Sequence, residues 1–548
     1  MRDRLQFLNH SYPRSGLACL ALFAAASAIL TLARSDRTIA LVQNFAVLFF
    51  LAVIVLLWLN QESFAESTRD SEIPLNPVLM FVLPALAYLP ALSVYFVSDD
   101  FEHLQIARLP LLHFVGQQLI RGQVTASGYH LFFRPLGFAS LFIDYRLFHS
   151  WAPGYHLVNL ALHLVVVAGV YFLALQLGFS PKMSTVAAVL FSVAPVTVQP
   201  VTYIAARFDL ITTALGIWSL VAYLHFRKSS SLTMYAVALL LLFLATFAKE
   251  SIYVLPLLIV WLELTVMPRR HWKADCGFFA VAAATFAYRW HVLHGIGGYQ
   301  NTTGSPAVLT VGRKALAAVL IRGPAETLLG YNWHQPPLWR IIGMAAATTA
   351  VLLCLVLLSR PDRYRRRLAW FALGWIVLAV LPAHSLLWTA DVALLWSRVL
   401  YISAIGLAIL LAALLSGIPD LRLRRAWTLL LLICFLLGLW HNLSAWRSNT
   451  RITHQFFAEL QHLEPSPPRN SEFLISDMPI ELCGVRFFLT GLTPAIQLAY
   501  GREDLTARRT SEPASQQSRH TIALQWTGLP SALVEPIKEQ QNGSVRPQ

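Results

Sequence analysis

Two adjacent carboxylates, Asp99 and Asp100, stand in the run Ser98-Asp99-Asp100-Phe101-Glu102-His103, directly after a long apolar stretch. Like charges this close repel, which raises the pKa of one of them. A carboxylate at a membrane–water boundary can accept a proton from a hydroxyl group as a general base; the plainer alternative is a helix-end charge cluster facing water. Cations recur in comparable places. Arg207 and Asp209 join two apolar runs with hardly any loop, Lys249-Glu250 interrupts another, and Arg398 opens the segment Arg398-Val399-Leu400-Tyr401. Each acid–base pair could be an internal salt bridge, and each cation could equally face an anionic ligand. Arg207, Lys249 and Arg398 come from three separate hairpins. Several cations converging near a carboxylate pair would serve a phosphate leaving group and a general base together. Arg134, followed by Pro135 and Leu136, could hold a phosphate through charge-assisted hydrogen bonds or snorkel to the headgroups. His156, Asn159 and His163 share one helical face by their spacing. They fit a polar cavity lining or contacts to a partner helix better than a metal site.

The elements that must position these residues follow from composition. Of 548 residues, 56% are hydrophobic and 13% charged, and the mean hydropathy is +0.57. Soluble chains carry about 45–50% apolar and about 25% charged residues, so an ordinary soluble enzyme is excluded, as is a disordered chain. About thirteen apolar runs are long enough to span a hydrocarbon core. They lie near 17–33, 40–59, 76–97, 155–178, 184–203, 207–226, 233–249, 251–267, 274–293, 341–359, 369–388, 399–417 and 426–445. Runs of this length predict an all-α polytopic membrane protein, since barrel strands are shorter and alternate.

The net charge of +14 would point to nucleic acid in a soluble protein. Here the basic residues cluster in short loops, as at Arg269-Arg270-Lys273 and Arg363-Arg365-Arg366-Arg367, which is the positive-inside pattern, so no nucleic acid is expected. Placing those loops in the cytoplasm puts loops 98–154, 294–340 and 389–398 and the tail after 446 outside; Arg34 and Arg37 alone run against the scheme. No cleavable signal peptide is expected, because the first apolar run lacks a small-residue exit. The five cysteines form no disulfide framework and no zinc spacing.

Loop 98–154 mixes leucine and phenylalanine with polar residues, which predicts amphipathic helices at the membrane surface. Beyond 446, Pro465, Pro467 and Pro468 mark a shift in composition. The expected organisation is an N-terminal transmembrane hairpin (1–75), a membrane domain (76–445), and a small C-terminal α/β or irregular soluble module with a disordered tail (446–548).

Several of these residues stand in a recognisable order. Asp99-Asp100 is followed by Arg134-Pro135-Leu136, by His156, Asn159 and His163, and by Ala194-Pro195-Val196-Thr197-Val198-Gln199-Pro200 running into Ala206-Arg207-Phe208-Asp209. Then come Ala248-Lys249-Glu250-Ser251, Leu381-Pro382-Ala383-His384, and Arg398-Val399-Leu400-Tyr401. This order resembles the membrane portion of the GT-C glycosyltransferases, closest to the tetratricopeptide-repeat transmembrane O-mannosyltransferases and their bacterial relatives, over about residues 76–445. The resemblance implies a GT-C-like bundle, a polyprenyl-phosphate sugar donor, a hydroxyl acceptor, and an inverting transfer at the outer membrane face. It maps the family's acidic motif onto Asp99 and Asp100 as catalytic residues. Arg207, Lys249 and Arg398 would bind the donor phosphate, with Arg134, His156, Asn159, Asp209, Glu250 and Tyr401 as further cavity candidates. No cofactor is expected with a monophosphate donor; a pyrophosphate donor would make a divalent metal plausible. The chain departs from the family in carrying no repeats after 446. A lipid or solute transporter, a flippase, and a polysaccharide ligase or polymerase using a pyrophosphate-linked glycan are the competing readings. A bacterial inner membrane with a periplasmic site is favoured over the endoplasmic reticulum.

Overall fold

The computed structural model describes residues 77–121, 123–124, 131–268, 270–301, 304–310, 312–328, 330, 362–387, 396–512, 520–529 and 532–536. The apolar runs expected at 17–33, 40–59 and 341–359, the N-terminal hairpin and the C-terminal tail lie outside these residues. The other expected runs coincide with helices. Five described helices are long and apolar enough to cross a membrane: Ala152–Gln176, Ile204–Ser229, Arg363–Leu387, Ser397–Ser416 and Leu421–Leu463. A sixth candidate is bent by 54° between Pro181–Ser192 and Pro195–Thr202. The count of about thirteen is thus not reproduced over the described residues, although the architecture is that of a multi-pass helical membrane protein. Shorter helices such as Leu232–Thr246 and Leu255–Thr265 occupy runs that read as full spans.

The breaks have local causes. Pro195 follows Ala194, whose backbone is extended (ψ 131°), as a residue before proline prefers. The chain then restarts as a short helix, Val198–Thr202. Ser180 caps the helix Pro181–Ser192, its Oγ accepting from Met183 N at 3.3 Å, with Pro181 at the first position, where its missing N–H costs nothing.

Loop 98–154 does form helices, Asp99–Ile106, Leu111–Arg121 and Pro135–Phe148. Their inner side carries Phe101, Leu104, Phe138 and Phe142, all buried, while Leu112, Ile120 and Leu147 are exposed, the distribution of elements lying on a membrane surface.

The C-terminal region is an α/β unit. Strand Ser471–Ser476 pairs in parallel with Thr506–Arg509 on one side and His520–Leu529 on the other, and Ala532–Pro536 adds an antiparallel edge. The helix Leu421–Leu463 runs without a break through 446 and on towards this sheet. Phe473, Ile475, Phe487, Phe488 and Leu524 share one apolar cluster with Phe456 and Phe457 of that helix and with Phe101 and Leu104 beside the Asp-Asp pair.

Candidate active site

The Asp-Asp pair sits where the chain turns from Val97 into the helix Asp99–Ile106. Ser98 holds a positive φ of 47°, a strained conformation for a residue with a side chain. Asp100 is buried and accepts from Val97 N at 3.0 Å and Ala205 N at 2.7 Å. It thereby ties the Asp-Asp turn to the 3-10 turn Ile204–Ala206, and burial drives its carboxyl well above the ordinary range. Asp99 points the other way, into a cavity of about 1050 Å³. Thr490 Oγ1 donates to Asp99 Oδ1 at 2.5 Å. Burial would raise the Asp99 pKa, but Arg486, Arg398 and the Thr490 hydroxyl together hold it down at about 2. The adjacent carboxyls therefore titrate apart. Asp99 is the ionised group facing the cavity, and Asp100 is a structural tie.

Glu102 and His103 line the same wall. Burial and the Asp99 charge push Glu102 up to about 7. Burial pushes His103 down to about 4, against the ring edges of Phe138 and Phe208 at 5.3 and 5.5 Å.

The cavity also gathers Arg134, Asp209, Lys249, Glu250, Arg289, Arg398 and Arg486. Lys249 does not pair with its neighbour Glu250, nor Arg207 with Asp209. Lys249 Nζ instead donates to Asp209 Oδ1 at 2.5 Å. Glu250 accepts from Arg134 at 3.1 and 2.5 Å and lies 3.5 Å from Arg289, so one carboxylate is shared by two guanidiniums. Arg398 and Arg486 form no ion pair among the described residues, and Arg398 Nη1 is buried without a hydrogen-bond partner. Both guanidiniums lie over the Trp396 indole, at 5.1 and 4.1 Å from its centroid. Gln199, just after the proline break, accepts from Arg398 N at 2.8 Å and from Ser397 Oγ at 3.2 Å, which fixes the turn carrying Arg398.

Besides Asp100, four expected site residues lie off the cavity wall. Arg207 is fully buried, paired with Asp144, and donates to Asn159 Oδ1 at 2.7 Å, Tyr155 O at 2.8 Å and Ser140 Oγ at 3.3 Å. Its guanidinium is saturated inside the protein, so the expected three-cation convergence loses this member. Asn159 spends its amide on Val201 O and Tyr203 O, both at 3.2 Å. His156 is bound to Val94 O at 2.9 Å, and Tyr401 to His163 at 2.7 Å. Among the described residues no group of three or more His, Cys, Asp and Glu is placed to hold a metal.

Two cavity residues escape a reading by sequence position. Arg289 is an arginine inside the apolar run 274–293, a signal that intramembrane charge alone could have raised. Arg486 lies beyond the composition shift, in a segment that reads as a separate module.

Apolar side chains also line the cavity: Leu257 on the helix Leu255–Thr265 and Phe279 and Phe286 on the helix Trp272–Leu293, all three exposed. A helical membrane protein with a cavity lined by several cations, by apolar side chains and by an ionised carboxylate is the class these features define.

No family model matches the chain. Curated relatives occur at low identity. The protein O-mannosyl-transferase TMTC4 of Homo sapiens is 27% identical over 397 residues, covering 58% of this chain and 52% of that protein. A protein O-mannosyl-transferase of Caenorhabditis elegans is 28% identical over 184 residues, 32% of this chain and 26% of that one. The chain thus spans about half the length of these curated relatives, or less. Among solved structures, ArnT from Cupriavidus metallidurans bound to undecaprenyl phosphate aligns with a TM-score of 0.47 at 12% identity, over 82% of this chain and 93% of that one. The apo Archaeoglobus fulgidus oligosaccharyltransferase aligns with a TM-score of 0.43 at 13% identity, over 78% and 64%. The similarity to protein O-mannosyl-transferases expected from the order of motifs is borne out by the curated relatives.

Proposed function

We propose that this chain is an inverting membrane glycosyltransferase that moves a sugar from a polyprenyl-phosphate carrier to a hydroxyl acceptor on the extracytoplasmic side. The observation that carries the reading is Asp99: an ionised carboxylate on a cavity wall beside two arginines that make no direct ion pair among the described residues. The similarity to named O-mannosyl-transferases supports the reaction class. The basic loops support a site on the side of the membrane away from the cytoplasm, which in the bacterial inner membrane we assign is the periplasm.

The chemistry follows from the geometry. A sugar phosphodiester places its anion against Arg398, with Arg134, Arg289 and Lys249 adding positive potential in a site of low dielectric. Its apolar tail lies against Leu257, Phe279 and Phe286. The acceptor oxygen attacks the anomeric carbon and its proton passes to Asp99. The bond from that carbon to the phosphate oxygen breaks, and its electron pair leaves with the lipid phosphate, on the face opposite to attack. Before the donor binds, Arg398 and Arg486 keep Asp99 ionised but weakly basic. Neutralising them with the donor anion raises the basicity of Asp99 when it is needed. Monophosphate chemistry of this kind asks for no metal.

The test is transfer by wild-type protein in proteoliposomes from a labelled polyprenyl-phosphate sugar, with the anomeric configuration of the product read by NMR. Inversion that persists in EDTA is expected. Retention of configuration, or transfer only from pyrophosphate-linked glycan, would overturn the reading.

A further inference from the structure

The C-terminal α/β unit does more than cover the cavity. Its short ribbon, Glu481–Leu482 paired with Val485–Arg486, delivers Arg486 to the cavity wall, and the following loop delivers Leu489 and Thr490. Three observations tie this segment to the Asp-Asp turn. Thr490 Oγ1 donates to Asp99 at 2.5 Å. Thr490 N donates to Ser98 Oγ at 3.3 Å. Gly491 has a φ of +76°, and a Cβ there would lie 2.4 Å from Ser98 O, so only glycine allows the two backbones this close. The unit is also held from behind, because Asn449 of the helix Leu421–Leu463 donates to Arg486 O at 3.2 Å.

The charges assign the segment a task. Every other cation on the cavity wall has a carboxylate: Lys249 has Asp209, and Arg134 and Arg289 share Glu250. Arg398 and Arg486 form no direct ion pair among the described residues; both bear on Asp99 across the cavity, and both rest on the Trp396 indole. The cross-strand neighbour of Arg486 is Glu481, which feels its charge without a direct ion pair among the described residues. Two guanidiniums stacked on one aromatic ring keep their hydrogen-bonding edges for a third group, and an anion of phosphate geometry suits them. We propose that the segment from Val485 to Thr490 is part of the active site, with Arg486 and Arg398 jointly binding the phosphate of the lipid donor and Thr490 acting as a positioning residue for Asp99. This rests on the glycosyltransferase reading above and extends it to a part of the chain that the sequence reads as a separate module.

The test uses the full chain in lipid nanodiscs, titrated with a polyprenyl monophosphate, with the matching polyprenol and inorganic phosphate as controls. Arg486→Gln and Arg398→Gln are each expected to weaken polyprenyl monophosphate binding tenfold or more and to leave polyprenol binding unchanged. Competition by inorganic phosphate locates recognition in the phosphate itself; its absence locates it in the lipid-linked phosphate, and either agrees with the proposal if both arginines matter. Should Arg486→Gln fail to fold, Arg486→Lys, which keeps the charge but loses the planar fork, is expected to bind at least threefold more weakly. Thr490→Val is expected to lower kcat with phosphate affinity retained, and to move the acid limb of the rate profile upward. Wild-type affinity in both Arg486 variants alongside a weakened Arg398→Gln would overturn the role of the C-terminal segment and leave the transferase reading standing. Equal binding of polyprenol and polyprenyl monophosphate by wild type would overturn both.

Discussion

Arg207 is the residue whose replacement best separates holding the fold from touching the substrate. It is fully buried, and its partner Asp144 has a side chain only 3% exposed. In Arg207→Met the Asp144 carboxylate keeps its burial and loses its counter-ion. Breaking a buried pair in this way costs about 3–5 kcal/mol. Asn159 Oδ1 and Tyr155 O each lose a donor as well, at about 1–3 kcal/mol for a buried acceptor left unsatisfied. The double variant Arg207→Met/Asp144→Leu removes both charges together and leaves only neutral acceptors wanting, Asn159 Oδ1, Tyr155 O and Ser140 Oγ. Replacing a whole buried pair by apolar residues is often neutral or better, so the double variant is expected to recover most of the loss. Unfolding in mixed detergent micelles reads the stability, and polyprenyl monophosphate titration reads the site. Both variants, while folded, are expected to bind the phosphate within about threefold of wild type, less than the tenfold that about 1.4 kcal/mol represents. A stable Arg207→Met protein with phosphate affinity reduced tenfold or more would refute the reasoning and return Arg207 to the donor site.

Two further outcomes are expected. Gly491→Ala places a methyl group against Ser98 O in a left-handed backbone; a cost of about 1–3 kcal/mol and a larger loss of transfer should appear together, and a variant with wild-type stability and rate would contradict the close contact. Glu102 carries a carboxyl raised to about 7, by burial first and by Asp99 second. Below pH 4.5 it is protonated folded or unfolded; between 4.5 and 7 only the unfolded chain ionises, so the fold loses stability as pH rises, by about 1.4 kcal/mol per unit. Glu102→Gln should therefore match wild type at pH 4.5 and exceed it by about 2–3 kcal/mol at pH 8, measured by unfolding at both values; an unchanged pH dependence would contradict the assignment.

The helical class was legible because an apolar run longer than 17 residues has few other fates. The Asp-Asp turn, Lys249, Glu250, Asp209, Arg134 and Arg398 were legible because charge beside apolar sequence demands a reason. Sequence could not tell which charges neutralise one another. Arg207 looked like a site cation because Asp144, its partner, lies 63 positions earlier in a different helix. The roles of Asp99 and Asp100 separate only once Ala205 N is seen to take one of them. The helix Leu421–Leu463 outruns its apolar stretch because Asn442, Asn449 and Thr450 hold backbone groups of other segments at Pro195, Arg486 and Tyr95, contacts that polar residues near a membrane end do not announce. Arg486 was hidden for the same reason, since Phe487 and Phe488 beside it read as the core of an independent unit, whereas Phe488 stacks on Phe101 of the Asp-Asp helix at 5.8 Å.

The central claim is that Asp99 takes the acceptor's proton while Asp100 holds the turn. Its most direct test is single-turnover transfer from a labelled polyprenyl-phosphate sugar by Asp99→Asn, Asp100→Asn and wild type, each with donor affinity and unfolding midpoint measured on the same sample. Asp99→Asn is expected to fold and to bind donor as wild type does, yet to transfer about 10²–10⁴-fold more slowly. Asp100→Asn is expected to lose stability first. Full transfer by a folded Asp99→Asn protein would contradict the account.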